Sequence, residues 1–493
     1  MELKVRTLRW SAGIPVAMLS KGTASLLGAK TKDRIFIKSV SSSKGVSTIL
    51  DTVTGLVGKN EIAISSELKE RLSLKAGQKV DISLSFAPKS LTFIKKKLNK
   101  GVLNSFEINS IIQDIVNNSL SEAEIALFIS AMYKEGMNRQ ETIFLIKAIL
   151  NSGRKLNIKN GLIADKHSIG GVPGNRTTPI IVSICAAAGL TMPKSSSRAI
   201  TAPAGTADVV ESVAKVDFSI KELRKIVKKT KACLIWGGSL EIVPADEKII
   251  QIEKMLNIDP EAQLLASIMS KKLASNSKYI LIDIPYGKGA KVTRHKAKNL
   301  KKKFEYLGKY FKKKMKVVLT NGTQPIGNGI GPMLEMIDII KVLSLRNSPK
   351  DLENKSLFLA GELLEMTHKA KKGCGKNMAR EILYSGKAFK KFKQIIKAQK
   401  GNLKRIKIGK FKEHIFMKRD GKIVEIYNKK INLLARTAGC PVDKSAGLYL
   451  YGHVGDKLKK GEKLLTIYAE SLSRLKEAFE FYKNNAPIKI HYN

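Results

Sequence analysis

Between Lys4 and about Phe86, short runs rich in β-branched residues alternate with turn residues: Arg34-Ile-Phe-Ile-Lys, Ser47-Thr-Ile-Leu, Ile62-Ala-Ile-Ser and Lys79-Val-Asp-Ile-Ser-Leu-Ser-Phe. Runs of this length and composition predict strands, hence a small β-rich domain. Past Pro88 the period changes, and from Glu107 to Leu150 apolar residues recur at helical spacing. Ser121-x-x-Glu124 and Asn138-x-x-Glu141 precede apolar runs as capping boxes, so each predicts a helix start. After about Lys159, apolar runs, glycine-bearing loops and helical stretches alternate, as in Tyr279-Ile-Leu-Ile-Asp-Ile, Lys316-Val-Val-Leu-Thr and Met333-Leu-Glu-Met-Ile-Asp-Ile-Ile. That alternation predicts an α/β sheet domain.

A lysine-rich stretch from Phe389 to Lys412 leads to a final β-rich unit. Its Gly455-Asp-Lys-Leu-Lys-Lys-Gly461-Glu-Lys-Leu-Leu-Thr-Ile segment has the turn-and-strand pattern of a lipoyl-like barrel-sandwich, without the Met-Lys-Met hairpin that would carry biotin or lipoate. The predicted architecture is α/β and multidomain. A β-rich domain spans 1–86, and a helical domain spans 87–157 with 238–276 returning to it. A mixed-sheet α/β domain covers 158–412, and a C-terminal α+β domain covers 413–493.

The chain has 493 residues, with 89 Lys+Arg against 42 Asp+Glu, a formal charge of +47. The basic residues are mostly lysines spread along the chain and only locally dense, as at 95–97, 301–303 and 312–314, so a solvated face is expected, in a field that attracts small anions. The longest apolar stretch, Pro179 to Met192, is shorter than the ~20 residues a spanning helix needs, and the N-terminus shows no secretory signal. Cys185, Cys233, Cys374 and Cys440 match no disulfide or metal spacing. A cytoplasmic setting without membrane or metal follows as an expectation.

Candidate chemistry concentrates in two stretches. Asp165-Lys-His-Ser-Ile-Gly-Gly-Val-Pro-Gly-Asn-Arg-Thr-Thr-Pro179 combines three glycines with Lys166, His167 and Arg176, and Thr177 or Thr178 opens a helix. This composition suits an anion cradle at a helix N-terminus, although a glycine-rich turn with incidental basic residues has the same composition. It is not a Walker A loop, because no Gly-Lys-Ser/Thr closes it. One helix later, Pro193-Lys-Ser-Ser-Ser-Arg-Ala-Ile-Thr-Ala-Pro-Ala-Gly-Thr-Ala-Asp208 gathers hydroxyls around Arg198, a residue suited to gripping phosphate bidentately. Two such loops suggest a substrate pair carrying two anionic groups.

Lys166-His-Ser-x-Gly-Gly, Ser196-Ser-Arg and Gly205-Thr-Ala-Asp resemble the thymidine and pyrimidine nucleoside phosphorylase family. Gly-Val-Pro-Gly-Asn-Arg-Thr-Thr, Ser-Ser-Arg-Ala-Ile-Thr and the extra N-terminal β-domain are similar to its AMP phosphorylase branch, best represented in archaea. The resemblance covers essentially the whole chain. It implies phosphorolysis of an N-glycosidic bond without a cofactor, with AMP and orthophosphate as partners (CMP and UMP being further candidates) and a homodimer or higher homo-oligomer. By the same resemblance, Gly171, Ser197, Arg198, Ala199, Ile200, Thr201, Ala202, Thr206, Ser267 and Lys291 fall on nucleotide-binding positions. Lys166, His167, Ser168, Thr178 and Ser196 fall on phosphate positions, and Asp259 falls on the proton donor. The pyrimidine enzymes are expected to carry a Tyr and an Arg for base recognition where this chain has Leu234-Ile-Trp-Gly-Gly-Ser, which speaks against thymidine.

Residue chemistry alone leaves Asp259 with two readings, since Asp-Pro-Glu at a helix start is also an N-cap signal. The rival enzyme is a thymidine or pyrimidine nucleoside phosphorylase. A basic nucleic-acid-binding protein is the rival of another class, but no aromatic-rich RNA motif or zinc finger accompanies the lysines.

Overall fold

In a computed structural model, the described residues are all but 8–14, 42–44, 157, 159–160, 200–201, 239–241 and 493. The chain divides into two compact units, Met1–Ser152 with Pro244–Ser267, and Gly153–Val243 with Ile268–Asn493.

The first unit begins with a closed six-stranded barrel in the order Glu2–Thr7, Glu61–Ile64, Val16–Ser20, Gly45–Val53, Arg34–Ser39, Lys79–Leu84. Alternation along each strand sends Leu3, Val5, Ile35, Ile37, Val80 and Ile82 into one apolar interior. Closure leaves the small sheet without an open edge. Helices Ser90–Leu98, Ser105–Val116, Glu122–Glu135, Arg139–Asn151 and Pro244–Leu256 follow. Both expected capping boxes form, and Asn104–Glu107 adds a third. The run 95–97 is not simply a solvated face. Lys97 is buried and paired with Glu141 at 2.9 Å, and Lys96 reaches Glu107 at 2.9 Å, because helix packing places a carboxylate opposite each.

The second unit is built on parallel strands. Lys314–Asn321, Tyr279–Tyr286 and Ala164–Ser168 form one ladder, and Met192–Ser196 with Ala232–Trp236 another. A parallel bridge between Ile163 and Thr191 joins the two. The chain therefore leaves Ala164–Ser168 toward one side, then returns to its other side with Tyr279–Tyr286. Open α/β sheets bind ligands at the carboxyl ends of strands where the order reverses in this way. Helix Thr177–Ala187 has ten buried residues, which explains why Pro179–Met192 is so apolar: it is a core helix. Among the described residues no helix is long and apolar enough to cross a membrane.

Strand Gly329–Ile330, in the middle of the α/β stretch, pairs with Gly447–Leu450 in a four-stranded sheet with Lys463–Ala469 and Phe411–Phe416. A three-stranded sheet of Lys457–Leu458, Gly421–Ile426 and Ile488–Tyr492 accompanies it.

Candidate active site

Strand Ala164–Ser168 ends at the reversal point and runs into Gly170 and Gly171, both at positive φ. A Cβ on Gly171 would lie 2.8 Å from Lys291 Cβ and 3.0 Å from its backbone nitrogen. Glycine is therefore the residue that lets the loop after one strand meet the loop after its neighbour. Two residues predicted from distant parts of the sequence are in contact here. At Gly174 a Cβ would come within 2.2 Å of the Ile326 carbonyl, so the first loop also lies directly on the loop before Gly329.

Beneath this turn lies a group of buried charges. Lys166 Nζ donates to Thr177 Oγ1 at 2.8 Å and stands 4.0 Å from Asp283. Lys355 approaches Asp283 at 3.3 Å. Asp165 faces Lys194 at 3.3 Å and Lys272 at 2.7 Å. Lys271, one residue before Lys272, is also buried. Four lysines, Lys166, Lys355, Lys194 and Lys272, thus meet two carboxylates, a surplus of positive charge in a low-dielectric interior. Such a surplus is costly unless an anion compensates it or lysines release protons. Burial holds Lys272 below the ordinary lysine range despite Asp165, and brings Lys166 down to about 8 despite Asp283. His167 falls well below its usual range through burial and then Lys272, Lys194, Lys271 and Lys166, so it is neutral at pH 7. Burial pushes Asp283 up, but Lys355, Lys166, Thr320 and Ser168 outweigh it and hold the carboxyl low.

The hydroxyl partner of Lys166 is Thr177 rather than Thr178, its buried neighbour in the first turn of the helix. Ser168 Oγ accepts a long contact from Asn175 at 3.4 Å. Ser196, at the carboxyl end of its strand, has a buried Oγ with no hydrogen-bond partner among the described residues.

The second loop is arranged differently. Arg198 directs its two terminal nitrogens to Glu211 at 2.5 and 2.8 Å and one of them to Asp208 at 3.3 Å, while its guanidinium lies 4.7 Å over the Trp236 ring. A bidentate grip on phosphate would have to displace Glu211. Lys444 adds a second cation to Glu211 at 2.5 Å. The Arg198 hydrogen bonds, ahead of those from Lys444, bring Glu211 down to about 2. Asp208 accepts the Ala199 and Gly205 N–H groups at 2.7 and 2.8 Å, fixing the loop's two ends. Thr206 Oγ1 accepts from Arg176, which also reaches the Ala204 carbonyl and Glu335, so Arg176 ties the two loops together. Ala202 lies in this loop, whereas Ile200 and Thr201 fall outside the described residues.

Helix Glu261–Ala274 carries Ser267 and, one turn later, Lys271, whose Nζ lies 3.5 Å from Ser197 Oγ. Asp259 precedes this helix and is exposed. The first helical hydrogen bond runs from Leu264 N–H to the Pro260 carbonyl, so Pro260 occupies the cap position and Asp259 stands one residue outside it. Lys194, Lys272, Lys355, Asp165 and Asp283 were not singled out as site residues by sequence reasoning. The available signal was the pair of charges flanking apolar runs, Asp165 at the strand start and Asp283 inside Tyr279-Ile-Leu-Ile-Asp-Ile. Among the described residues no group of His, Cys, Asp and Glu is arranged to hold a metal ion.

Residues 91–153 match the glycosyl transferase family helical bundle domain, 160–389 the glycosyl transferase family a/b domain, and 422–489 the pyrimidine nucleoside phosphorylase C-terminal domain. The fold is similar to that of anthranilate phosphoribosyltransferase from Thermus thermophilus, with a TM-score of 0.53 at 16% identity over 62% of this chain and 99% of that one. The chain is 43% identical to an AMP phosphorylase of Thermococcus kodakarensis over 99% of its length and 98% of the relative's. It is 45% identical to one of Pyrococcus furiosus over 89% and 88%. With this similarity along nearly its whole length, the chain belongs to the AMP phosphorylase family, a group of pentosyl-transferring enzymes within the pyrimidine nucleoside phosphorylases.

Proposed function

We propose that the chain cleaves AMP with orthophosphate, giving adenine and ribose 1,5-bisphosphate. The observation that carries this reading is the lysine surplus behind Gly170 and Gly171, where a dianion would supply the missing negative charge. Orthophosphate is held by Lys166, His167, Ser168, Thr178 and Ser196 and attacks C1′ as an oxocarbenium-like centre develops. His167, being neutral, offers a hydrogen bond without adding charge. The loop from Ser197 to Ala202, with Gly171, Thr206, Ser267 and Lys291, binds the nucleotide, and Asp259 protonates the departing base. The catalysis is positioning, charge stabilisation and acid catalysis by side chains.

In this reading Arg198 keeps the nucleotide loop in shape through Glu211, and Lys291 is the cation nearer the 5′-phosphate. The enzyme works in the cytoplasm as a homodimer or larger homo-oligomer, and CMP and UMP are further substrates. Product analysis with AMP, CMP, UMP, adenosine and thymidine, each with and without phosphate, tests it. Phosphate-dependent release of adenine from AMP but barely from adenosine is expected. Equal kcat/KM for AMP and adenosine would overturn the 5′-phosphate requirement.

A further inference from the structure

Asp283 stands on strand Tyr279–Tyr286 with its side chain wholly buried. One carboxylate oxygen, Oδ1, accepts from the Thr320 hydroxyl at 2.6 Å. The other, Oδ2, faces two ammonium groups, Lys355 at 3.3 Å and Lys166 at 4.0 Å. Lys355 reaches in from helix Lys350–Met366, which follows the strand far along the chain. One negative charge is thus divided between two lysines, and the nearer lysine is not the one at the turn.

We propose that Asp283 and Lys355 are positioning residues of the orthophosphate site, the sharing of one carboxylate between two lysines setting how firmly Lys166 grips the anion. The proposal rests on the reading of the first loop as that site. The groups facing Lys166 come from every side: Asp283 from the neighbouring strand, Lys355 from its helix, Arg176 from the loop ahead of Thr177, and Asp165 from its own strand. Asp165 is drawn away by Lys194 and Lys272. Burial first, then Lys355 and Arg176, disfavour the charged form of Lys166, while Asp283 and Asp165 favour it, with a balance at about 8. The ammonium form is the one that attracts phosphate, so phosphate binding weakens as the pH rises through that value. Removing Asp283 takes away a supporting charge. Removing Lys355 takes away both a repelling charge and the competitor for Asp283. The two changes act on Lys166 in opposite directions.

The experiment measures kcat/KM for orthophosphate, and its Kd by isothermal titration calorimetry, from neutral to alkaline pH in the wild type, Asp283→Asn and Lys355→Met. Lys355→Gln repeats the second arm should the Met variant misfold, and far-UV circular dichroism checks folding. The alkaline limb is expected to move to lower pH in Asp283→Asn and to higher pH in Lys355→Met. For a carboxylate 4.0 Å from Lys166 about one unit is the low end of the shift, and Lys355→Met is expected to move the limb the other way. The KM for AMP stays near the wild-type value. A purely structural role would not shift the limbs apart, so limbs that move together, or stay put in folded variants, overturn the proposal. A wild type that binds phosphate with this limb yet leaves AMP intact would remove the AMP reading and leave the role of Asp283 and Lys355 standing. A wild type that binds no phosphate would overturn both.

Discussion

The loop after Ala164–Ser168 and the loop after Met192–Ser196 are made of similar residues, glycine, hydroxyls and a basic side chain, but their electrostatics differ. Behind the first, four lysines share two carboxylates and the positive charge is left over. At the second, Arg198 and Lys444 are matched by Glu211 and Asp208, so no charge is left over. A basic residue in a glycine-rich loop therefore says little about anion binding until its carboxylate partners are known. In the proposed function the first loop attracts the anion, and the second holds a shape around the nucleotide.

The largest effect is expected outside both loops. If the loops bind and Asp259 does the acid chemistry, Asp259→Asn should lower kcat by ~10²–10⁴-fold and leave the KM values and thermal stability close to wild type. Pro260 takes the cap position one residue after Asp259, and Asn keeps a side-chain acceptor at 259, so stability should be little affected. Wild-type turnover by the folded variant would remove the assignment.

Next in size is Lys166→Met. A buried charge-assisted contact is worth roughly 1.5–3 kcal/mol, so kcat/KM for phosphate should fall about 10- to 100-fold, with the KM for AMP nearly unchanged. A rise in the KM for AMP instead would mean that the two loops have been given each other's substrates.

A smaller effect, about tenfold on kcat/KM for AMP, is expected for Arg198→Met. Comparison with Glu211→Gln decides how Arg198 acts. If it holds the loop through Glu211, both variants lose about the same and the double variant loses little more, because coupled partners are not additive. If Arg198 instead grips the 5′-phosphate, releasing it from Glu211 should leave AMP kinetics unharmed or improve them.

The same contrast shows which features can be read from a chain. Capping boxes such as Ser121–Glu124 were legible because both partners lie within one turn. Both loops were legible as loops because glycine, proline and hydroxyls punctuate locally. Strands Glu2–Thr7 and Val16–Ser20 were less so, since barrel closure rather than a long apolar run recruits them. The charge state of each loop was not legible at all. Lys355, Lys272 and Asp283 come to Lys166 and Asp165 from other elements, as Glu211 and Lys444 come to Arg198, and spacing along the sequence carries no trace of those pairings. The placement of Gly329–Ile330 in the C-terminal sheet had the same cause.

The effect expected to be smallest on turnover tests the support under the first loop. Asp338, on helix Pro332–Ser344, accepts the N–H groups of Asn328 and Gly329 at 2.7 and 2.6 Å, while Ile326 of the same segment donates its N–H to the Pro173 carbonyl. Burial pushes Asp338 up to about 6, against the pull of those two N–H groups and Lys341. A carboxyl with a higher pKa folded than unfolded binds its proton first in the folded state. Stability from this group is therefore greatest below the unfolded value of 3.8 and is lost as pH rises to about 6. Asp338→Asn keeps an acceptor oxygen and abolishes the titration. The melting temperature of the wild type minus that of the variant should therefore decline from pH 4 to pH 7, with an underlying change on the order of 2 kcal/mol. Phosphate kinetics should stay close to wild type, because Asp338 supports the segment beneath Gly174 and not the lysines. A difference that stays flat over this range would show that Asp338 is not the titrating group, and a large rise in the KM for phosphate would show that the first loop's grip depends on its backbone support as well as on its charge.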